Sequence, residues 1–285
     1  MNRNTVLIKR KTIDTILYGI MAAALSAVCV LLLCILFYIL KSAAGYVSVS
    51  FIFRSAQEGG VFPMIVTTVY VVLASLAIAL PAGIMTAIFF HEYSGGSRGI
   101  RWLRLAVETL AGIPSILYGL FGLILFCRFF RLGQSIIAGA FTLSIMILPV
   151  IIRTVEETLK TIPDSFREAS LSLGATKLQT ITRIVIPEAL PGILTAGILA
   201  AGRVLGESAP VLLTVGIARN IPKSIFDSGR TLTIHLYYLT KEAVNPDDFG
   251  VAFATAAVLI ILIVIINTTA KLVTLSFRKK LGGGI

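Results

Sequence analysis

Along the chain, hydrophobic positions gather into six runs, at residues 16–40, 61–90, 105–127, 135–152, 190–215 and 249–275, with shorter polar and basic stretches between them. About 20 helical residues cross a bilayer core of about 30 Å, and these runs match that length. They are continuous and lack the alternation in segments of about ten residues that marks a membrane barrel. The pattern predicts an all-α integral membrane protein with six transmembrane helices. A segment 1–15 precedes a membrane domain over 16–275, which includes one polar loop at 153–189, and a tail follows at 276–285. The first run follows the basic start MNRNTVLIKRK, as a signal peptide would. Its length exceeds an h-region of about 7 to 15 residues and no small-residue cleavage site follows, which predicts a retained helix.

The polar loop carries its own pattern. Pro163 ends what precedes it, Ser165 and Glu168 have the spacing of a capping box, and Gly174 stands where a helix would stop. Thr176 can cap a second helix, in which Leu178, Ile181, Ile184 and Val185 recur at helical spacing, and Pro187 and Pro191 bracket the start of the fifth run. Two short helices meeting at a glycine corner are expected outside the bilayer. Their apolar stripe must pack either on the bundle itself or on a partner whose motion the corner transmits.

Composition agrees with the runs, since 56% of residues are hydrophobic and 14% charged, against about 45 to 50% apolar in a soluble domain. The formal charge of +11 comes from 25 Lys and Arg against 14 Asp and Glu. With six spans, sixteen of these basic residues fall on the side of the two ends and eight on the other, with Arg203 inside a run. That asymmetry puts both termini in the cytoplasm. The basic residues are scattered through loops, so the charge is a topology signal and not a nucleic-acid surface. Cys29, Cys34 and Cys127 lie in or at the end of apolar runs, and His91 and His235 fall on opposite sides, so no metal cluster is expected. No G-x-x-x-x-G-K-[ST] phosphate loop occurs, so any ATP hydrolysis belongs to another chain.

Ionisable residues within the bilayer are costly and mark function by default. The fifth run holds Arg203 and Glu207 in AAGRVLGESAPVLL, four residues apart and near mid-run. On one helix they would share a face with Ala196, Ala200, Gly206 and Pro210, and Gly202 and Gly206 form a G-x-x-x-G. The pair either neutralises itself or offers a planar guanidinium to an oxyanion when the path opens. Arg104 and Glu108 also stand four apart at the start of the third run, where snorkelling accounts for them. Arg128 and Arg131 lie at its far end as interface anchors or a first contact for an anion, and Pro114 should kink that helix while Gly112, Gly119 and Gly122 admit close neighbours.

Glu168, Ala169, Ser170, Gly174, Ile184 and Pro187 match the cytoplasmic coupling motif of ABC importer permeases, E-A-A, three residues, G, nine residues, I-x-L-P, with Ser170 and Ile186 as mild departures. The stretches EYSGG, ETLAGIPSILYGLFG, REASLSLGAT, IPEALPGILTAGIL and GRVLGESAPVLLT resemble the phosphate-importer permeases of the PstA type, with Ser208 where Thr is usual. The resemblance implies the type I permease fold in a bacterial or archaeal cytoplasmic membrane. It further implies alternating access for inorganic phosphate, with Arg203, Glu207 and Ser208 on the pathway and Gly112, Pro114, Gly119 and Gly122 shaping it. The implied partners are a second permease of the PstC type, two cytoplasmic ATPase subunits that use the ATP and Mg, and an external phosphate-binding protein. Another oxyanion such as molybdate or sulfate, or an amino acid, is the alternative cargo in the same machine. A stand-alone secondary transporter is the alternative of a different class, and a membrane enzyme lacks a nucleophile or metal constellation.

Overall fold

The structure, a computed structural model, describes residues 3–93, 98–244 and 246–282, with side chains over 14–93, 98–244 and 248–276. Ser94, Gly95 and Gly96 of the EYSGG stretch lie outside the described residues. In chain order the helices are α1 (Arg3–Ala43), α2 (Val49–Phe53), α3 (Phe62–Glu92), α4 (Arg98–Ala111), α5 (Ser115–Gly122), α6 (Ile136–Thr161), α7 (Asp164–Ser172), α8 (Lys177–Thr180), α9 (Ile186–Gly206), α10 (Ala209–Thr214), α11 (Leu232–Glu242) and α12 (Pro246–Gly282). π-helical turns at Leu123–Phe129 and Ile181–Val185 extend α5 and join α8 to α9. No strand occurs among the described residues.

Among the described residues five helices are long and apolar enough to cross a membrane by themselves: Asp14–Ala43, Phe62–Glu92, Ile136–Thr161, Lys177–Gly206 and Asp248–Ser276. The third apolar run differs from a straight span. Its two pieces, Arg98–Ala111 and Ser115–Phe129, meet at 102°. Pro114 sits at this corner as the cap of α5 and lacks the N–H needed to continue α4. Across the corner, the Tyr118 hydroxyl donates to the Leu110 carbonyl at 2.6 Å. The Arg98, Arg101 and Arg104 side chains explain why the first piece starts earlier than its apolar run, since α4 places them on one arc and Leu103, Val107 and Leu110 on another.

The centre of the bundle is α6, packed against α3 and α9, with Leu143, Met146, Ile147, Ile151 and Val155 fully buried. Between helices in lipid the drive is close packing and interhelical hydrogen bonding, because lipid tails are as apolar as leucine. Small residues make that approach possible here: a Cβ on Gly83 would come within 2.6 Å of Ile151 Cγ2, and one on Gly192 within 2.1 Å of Thr158 Oγ1. Ser144 of α6 donates to the Ser75 carbonyl of α3 at 2.9 Å and also back to Ala140. α1 stands apart with an exposed surface and leans on α12, where Tyr38 meets Phe253 edge-on.

Candidate functional site

At the bundle end where α3 and α6 finish, the polar loop folds as a corner. α7 begins at Asp164 directly after Pro163, and no side chain caps it, so the expected Ser165–Glu168 capping box does not form. The box forms instead on the second helix, where Thr176 Oγ1 accepts from the Gln179 N–H and Gln179 Oε1 accepts from the Thr176 N–H. Gly174 closes α7 with φ at +85°. Its N–H bonds the Leu171 carbonyl and the Ala175 N–H bonds that of Ser170, the Schellman arrangement. Ser170 and Thr180 are buried and share a hydroxyl–hydroxyl bond of 2.9 Å across the corner, which gives the serine in place of alanine a partner.

The expected apolar stripe divides. Ile181 and Val185 are buried and Ile184 is half-buried, whereas Leu178 is exposed, together with Phe166, Leu171 and Leu173 around the corner. Nor is the second helix a separate piece: α8, the π turn and α9 form one helix from Lys177 to Gly206. Pro187 and Pro191 lie within that rod and supply no N–H to the carbonyls one turn before them, consistent with the π turn ending at Val185. Glu168 and Ala169 are exposed, and among the described residues Glu168 makes no ion pair.

Sequence spacing gave no sign of what holds the corner to the bundle. Arg167 is half-buried and reaches five groups: Nε donates to Glu92 Oε1 at 3.0 Å, Nη1 to the Ile162 carbonyl and Asp164 Oδ1, both at 3.0 Å, and Nη2 to the Leu159 carbonyl at 3.2 Å, with His91 Nε2 at 3.1 Å. Leu159 lies in the last turn of α6 and Ile162 is its cap, where the helix leaves carbonyls short of partners; the Leu159 carbonyl otherwise accepts the long bond from the Ile162 N–H, at 3.4 Å. Lys177 adds a bond to the Glu92 carbonyl and lies over the Tyr93 ring at 4.4 Å. Nearby, Arg104 pairs with the buried Glu156 of α6 at 2.8 Å, and Lys160 meets the same carboxylate at 3.2 Å. Arg104, for which snorkelling was expected at the start of the third run, thus has a carboxylate partner on another helix.

The second candidate region is where α9 stops. Pro210 bars the helix from continuing, so Gly206 ends α9 and Glu207 is extended, with φ −79° and ψ 135°. Arg203 and Glu207 thus do not share one helix, yet the break brings Arg203 Nε to 4.0 Å from Glu207 Oε1. Both are partly shielded, at 33% and 17% side-chain exposure, which leaves the guanidinium reachable. Ala196 and Ala200 are buried, and a Cβ on Gly202 or Gly206 would meet open space, so the G-x-x-x-G packs on nothing among the described residues. Ser208 is exposed and faces a different way, into a cleft of about 580 Å³ with Gly206, Thr233, Tyr237 and Thr240.

The break is held from two sides. Gly119 of α5 lies against it, and a Cβ there would be 2.9 Å from Pro210 Cα and 3.3 Å from the Ala209 carbonyl. Gly122 abuts Thr142 of α6, with Oγ1 only 2.0 Å from an added Cβ, while Gly112 has no contact tighter than 3.5 Å. On the other side, Thr233 of α11 donates to the Glu207 carbonyl at 3.0 Å. The α10 carbonyls are closed by Gln134 on Leu212 and Leu213 and by the Ser135 N–H on Thr214. Chemically, the region offers a guanidinium and a carboxylate at an irregular piece of backbone, the kind of backbone tolerated at membrane depth where it is buried or lines a cavity. No group of three or more His, Cys, Asp or Glu able to hold a metal occurs among the described residues.

The chain is similar to known proteins. The chain is 38% identical over 217 residues, 75% of its length and 70% of the relative's, to the phosphate transport system permease protein PstA 1 of Mycobacterium tuberculosis. It is 30% identical over 289 residues, 95% and 98% of the two chains, to a probable ABC transporter permease protein, YqgI, of Bacillus subtilis. The fold matches that of a bacterial alginate ABC transporter with a TM-score of 0.68 at 17% identity, over 96% of this chain and 99% of that one. The MetNI methionine ABC transporter gives 0.61 at 23% identity, over 76% and 94%. Residues 79–279, which hold both the corner and the helix break, match the model of the binding-protein-dependent transport system inner membrane component, and the chain belongs to that family of ABC importer permeases.

Proposed function

We propose that this chain is the membrane permease subunit of an ATP-driven importer of inorganic phosphate. The observation that carries the reading is the helix break, where Arg203 and Glu207 meet at 4.0 Å without a tighter ion pair, in a chain 38% identical to a PstA permease. A guanidinium presents a planar fork to oxyanions. Glu207 holds it between cycles and releases it when phosphate enters. Ser208 joins the path next to Glu207 although its side chain faces a separate, largely apolar cleft, and Pro114, Gly119 and Gly122 set the shape of the wall that supports the break.

The corner at Glu168–Pro187 is the contact for a cytoplasmic ATPase, which uses ATP and Mg while this chain holds neither. Exposed Phe166, Leu171, Leu173 and Leu178 supply an apolar knob beside the Glu168 carboxylate. Because Lys177–Gly206 is one rod, a push on the knob moves Arg203 at its other end directly. The open space beside Gly202 and Gly206 suits a second, related permease of the PstC type across the pathway, and an external phosphate-binding protein delivers the cargo. In this reading both termini and the corner face the cytoplasm, across a bacterial or archaeal inner membrane.

The test is uptake of radiolabelled phosphate by phosphate-starved cells, comparing the intact chain with Arg203→Ala at equal membrane abundance. Collapse of uptake supports the phosphate route through Arg203. Equal uptake would make the pair structural and send the cargo back to molybdate, sulfate or another class.

A further inference from the structure

At the bundle end opposite the corner, Arg230 is buried, 5% exposed, immediately before the residue that caps α11. Its Nε donates to the Ile217 carbonyl at 3.1 Å and its guanidinium lies 4.5 Å from the centre of the Tyr238 ring. Its Nη1 is enclosed and has no hydrogen-bond partner. Among the described residues no carboxylate pairs with it. A buried cation with one carbonyl, one ring face and a Glu242 carboxylate beyond ion-pair distance, shared with Arg219, is under-compensated, because removal from water is costly without a close counter-charge.

The neighbours sharpen this. His235, one turn into α11, also has a buried nitrogen, Nδ1, without a partner. Arg219 brings a second guanidinium into the same field and pairs only loosely with Glu242, at 3.9 Å. A purely structural arginine fastening the loop would satisfy both arms of its fork on carbonyls, and here one arm is idle. The location is also apt: Thr233, three residues on, is the side chain that bonds the Glu207 carbonyl at the helix break.

We infer that Arg230, with His235 and Arg219, forms a second anion site that receives an inorganic oxyanion ahead of Arg203. It rests on the phosphate-importer reading for its cargo and its place on the path. The idle Nη1 and the His235 nitrogen are the donors, and the bound anion supplies the missing counter-charge. The loop bonded through Ile217 must lift to admit the ion, which makes the site a checkpoint between delivery and the helix break.

The test uses the complete detergent-purified transporter complex and reads melting temperature with inorganic phosphate against chloride at matched ionic strength. Arg203→Gln silences the first site. The expected result is a phosphate-dependent rise of several degrees that survives in Arg203→Gln and is lost in the double variant with Arg230→Gln. Should Arg230→Gln fail to accumulate, Arg203→Gln with His235→Glu takes its place, since an internal carboxylate fills the site; its melting temperature should be higher without phosphate and unmoved by adding it. A phosphate response unchanged by either second substitution, or a response no larger than that to chloride, overturns the inference. Protection by molybdate or sulfate but not phosphate, still dependent on Arg230, supports the anion site and overturns the phosphate cargo instead.

Discussion

Arg167 of α7 and Glu92 at the end of α3, 75 positions apart in the chain, meet through a bond of 3.0 Å at which both side chains are largely sheltered. The same guanidinium also bonds the last carbonyls of α6. One side chain therefore ties the exposed corner to two spans that the rod Lys177–Gly206 does not itself contain. In the proposed cycle a push on the corner moves α3 and α6 along with α9.

Arg167→Ala should therefore lower phosphate transported per ATP hydrolysed by about tenfold or more, beyond its effect on folding. Stripping one partner from a sheltered ion pair costs about 3 to 5 kcal/mol, so membrane abundance must be measured alongside. The swap Arg167→Glu with Glu92→Arg should recover abundance more than coupling, because the reversed pair cannot cap the α6 carbonyls. An unchanged transport-to-hydrolysis ratio in Arg167→Ala would confine the residue to a structural role.

Gly174 turns with φ +85° and has open space around its α-carbon. A side chain there costs about 1 to 2 kcal/mol of backbone strain without a clash inside the chain. Gly174→Val should insert normally and melt slightly lower, yet lose ATP-driven uptake because the corner no longer fits its ATPase. Normal uptake at equal abundance would remove the proposed ATPase contact from this corner.

The corner was readable in the sequence because its determinants are local: Pro163, Gly174 and Thr176 act within one turn of themselves. The capping box was misplaced because Pro163 already starts α7, leaving Ser165 in the helix. Pro114 announced the bend of the third run, though not its 102°, whereas averaged hydrophobicity hid the break at Gly206–Pro210, since an interrupted helix can be as oily as a straight one. Arg167–Glu92 and Arg104–Glu156 were invisible for a different reason: partners on different helices leave no spacing to count.

Gly122 allows α5 to lie on Thr142, whose Oγ1 would be 2.0 Å from an added Cβ. Overpacking of this kind costs about 1 to 3 kcal/mol. Gly122→Ala should lower the melting temperature in detergent and reduce uptake, whereas Gly112→Ala, with nothing nearer than 3.5 Å, should do neither. Equal melting temperatures for the two variants would show that α5 yields without strain.

Replacing Arg203 by Lys preserves the charge and removes the fork. Uptake should fall at least tenfold, since a point charge cannot span two oxygens of one anion, while the partner Glu207 keeps its counter-ion and the fold its stability. Full uptake in Arg203→Lys, measured with radiolabelled phosphate, would mean that charge alone suffices at the break.

His235 gives the clearest pH signature. Burial, followed by the charges of Arg230 and Arg219, pulls its imidazole from 6.5 down to about 4. The ring therefore stays neutral in the fold at pH values where the unfolded chain would protonate it. Stability from this source is fully present above pH 6.5 and is lost as pH falls toward 4. Between pH 7 and pH 5 the loss is about 2 kcal/mol from one such group. Tyr238 and Glu242 stand in the same cluster, and His235→Gln leaves both in place, so the comparison isolates the imidazole. Melting curves at pH 7 and pH 5, free of added phosphate, should therefore show a larger drop for the intact chain than for His235→Gln. Bound oxyanion acts in the opposite sense, because a neighbouring negative charge favours the protonated ring. Adding phosphate at pH 5 should consequently restore part of the lost stability in the intact chain and none in His235→Gln, and equal restoration in both would detach His235 from the anion.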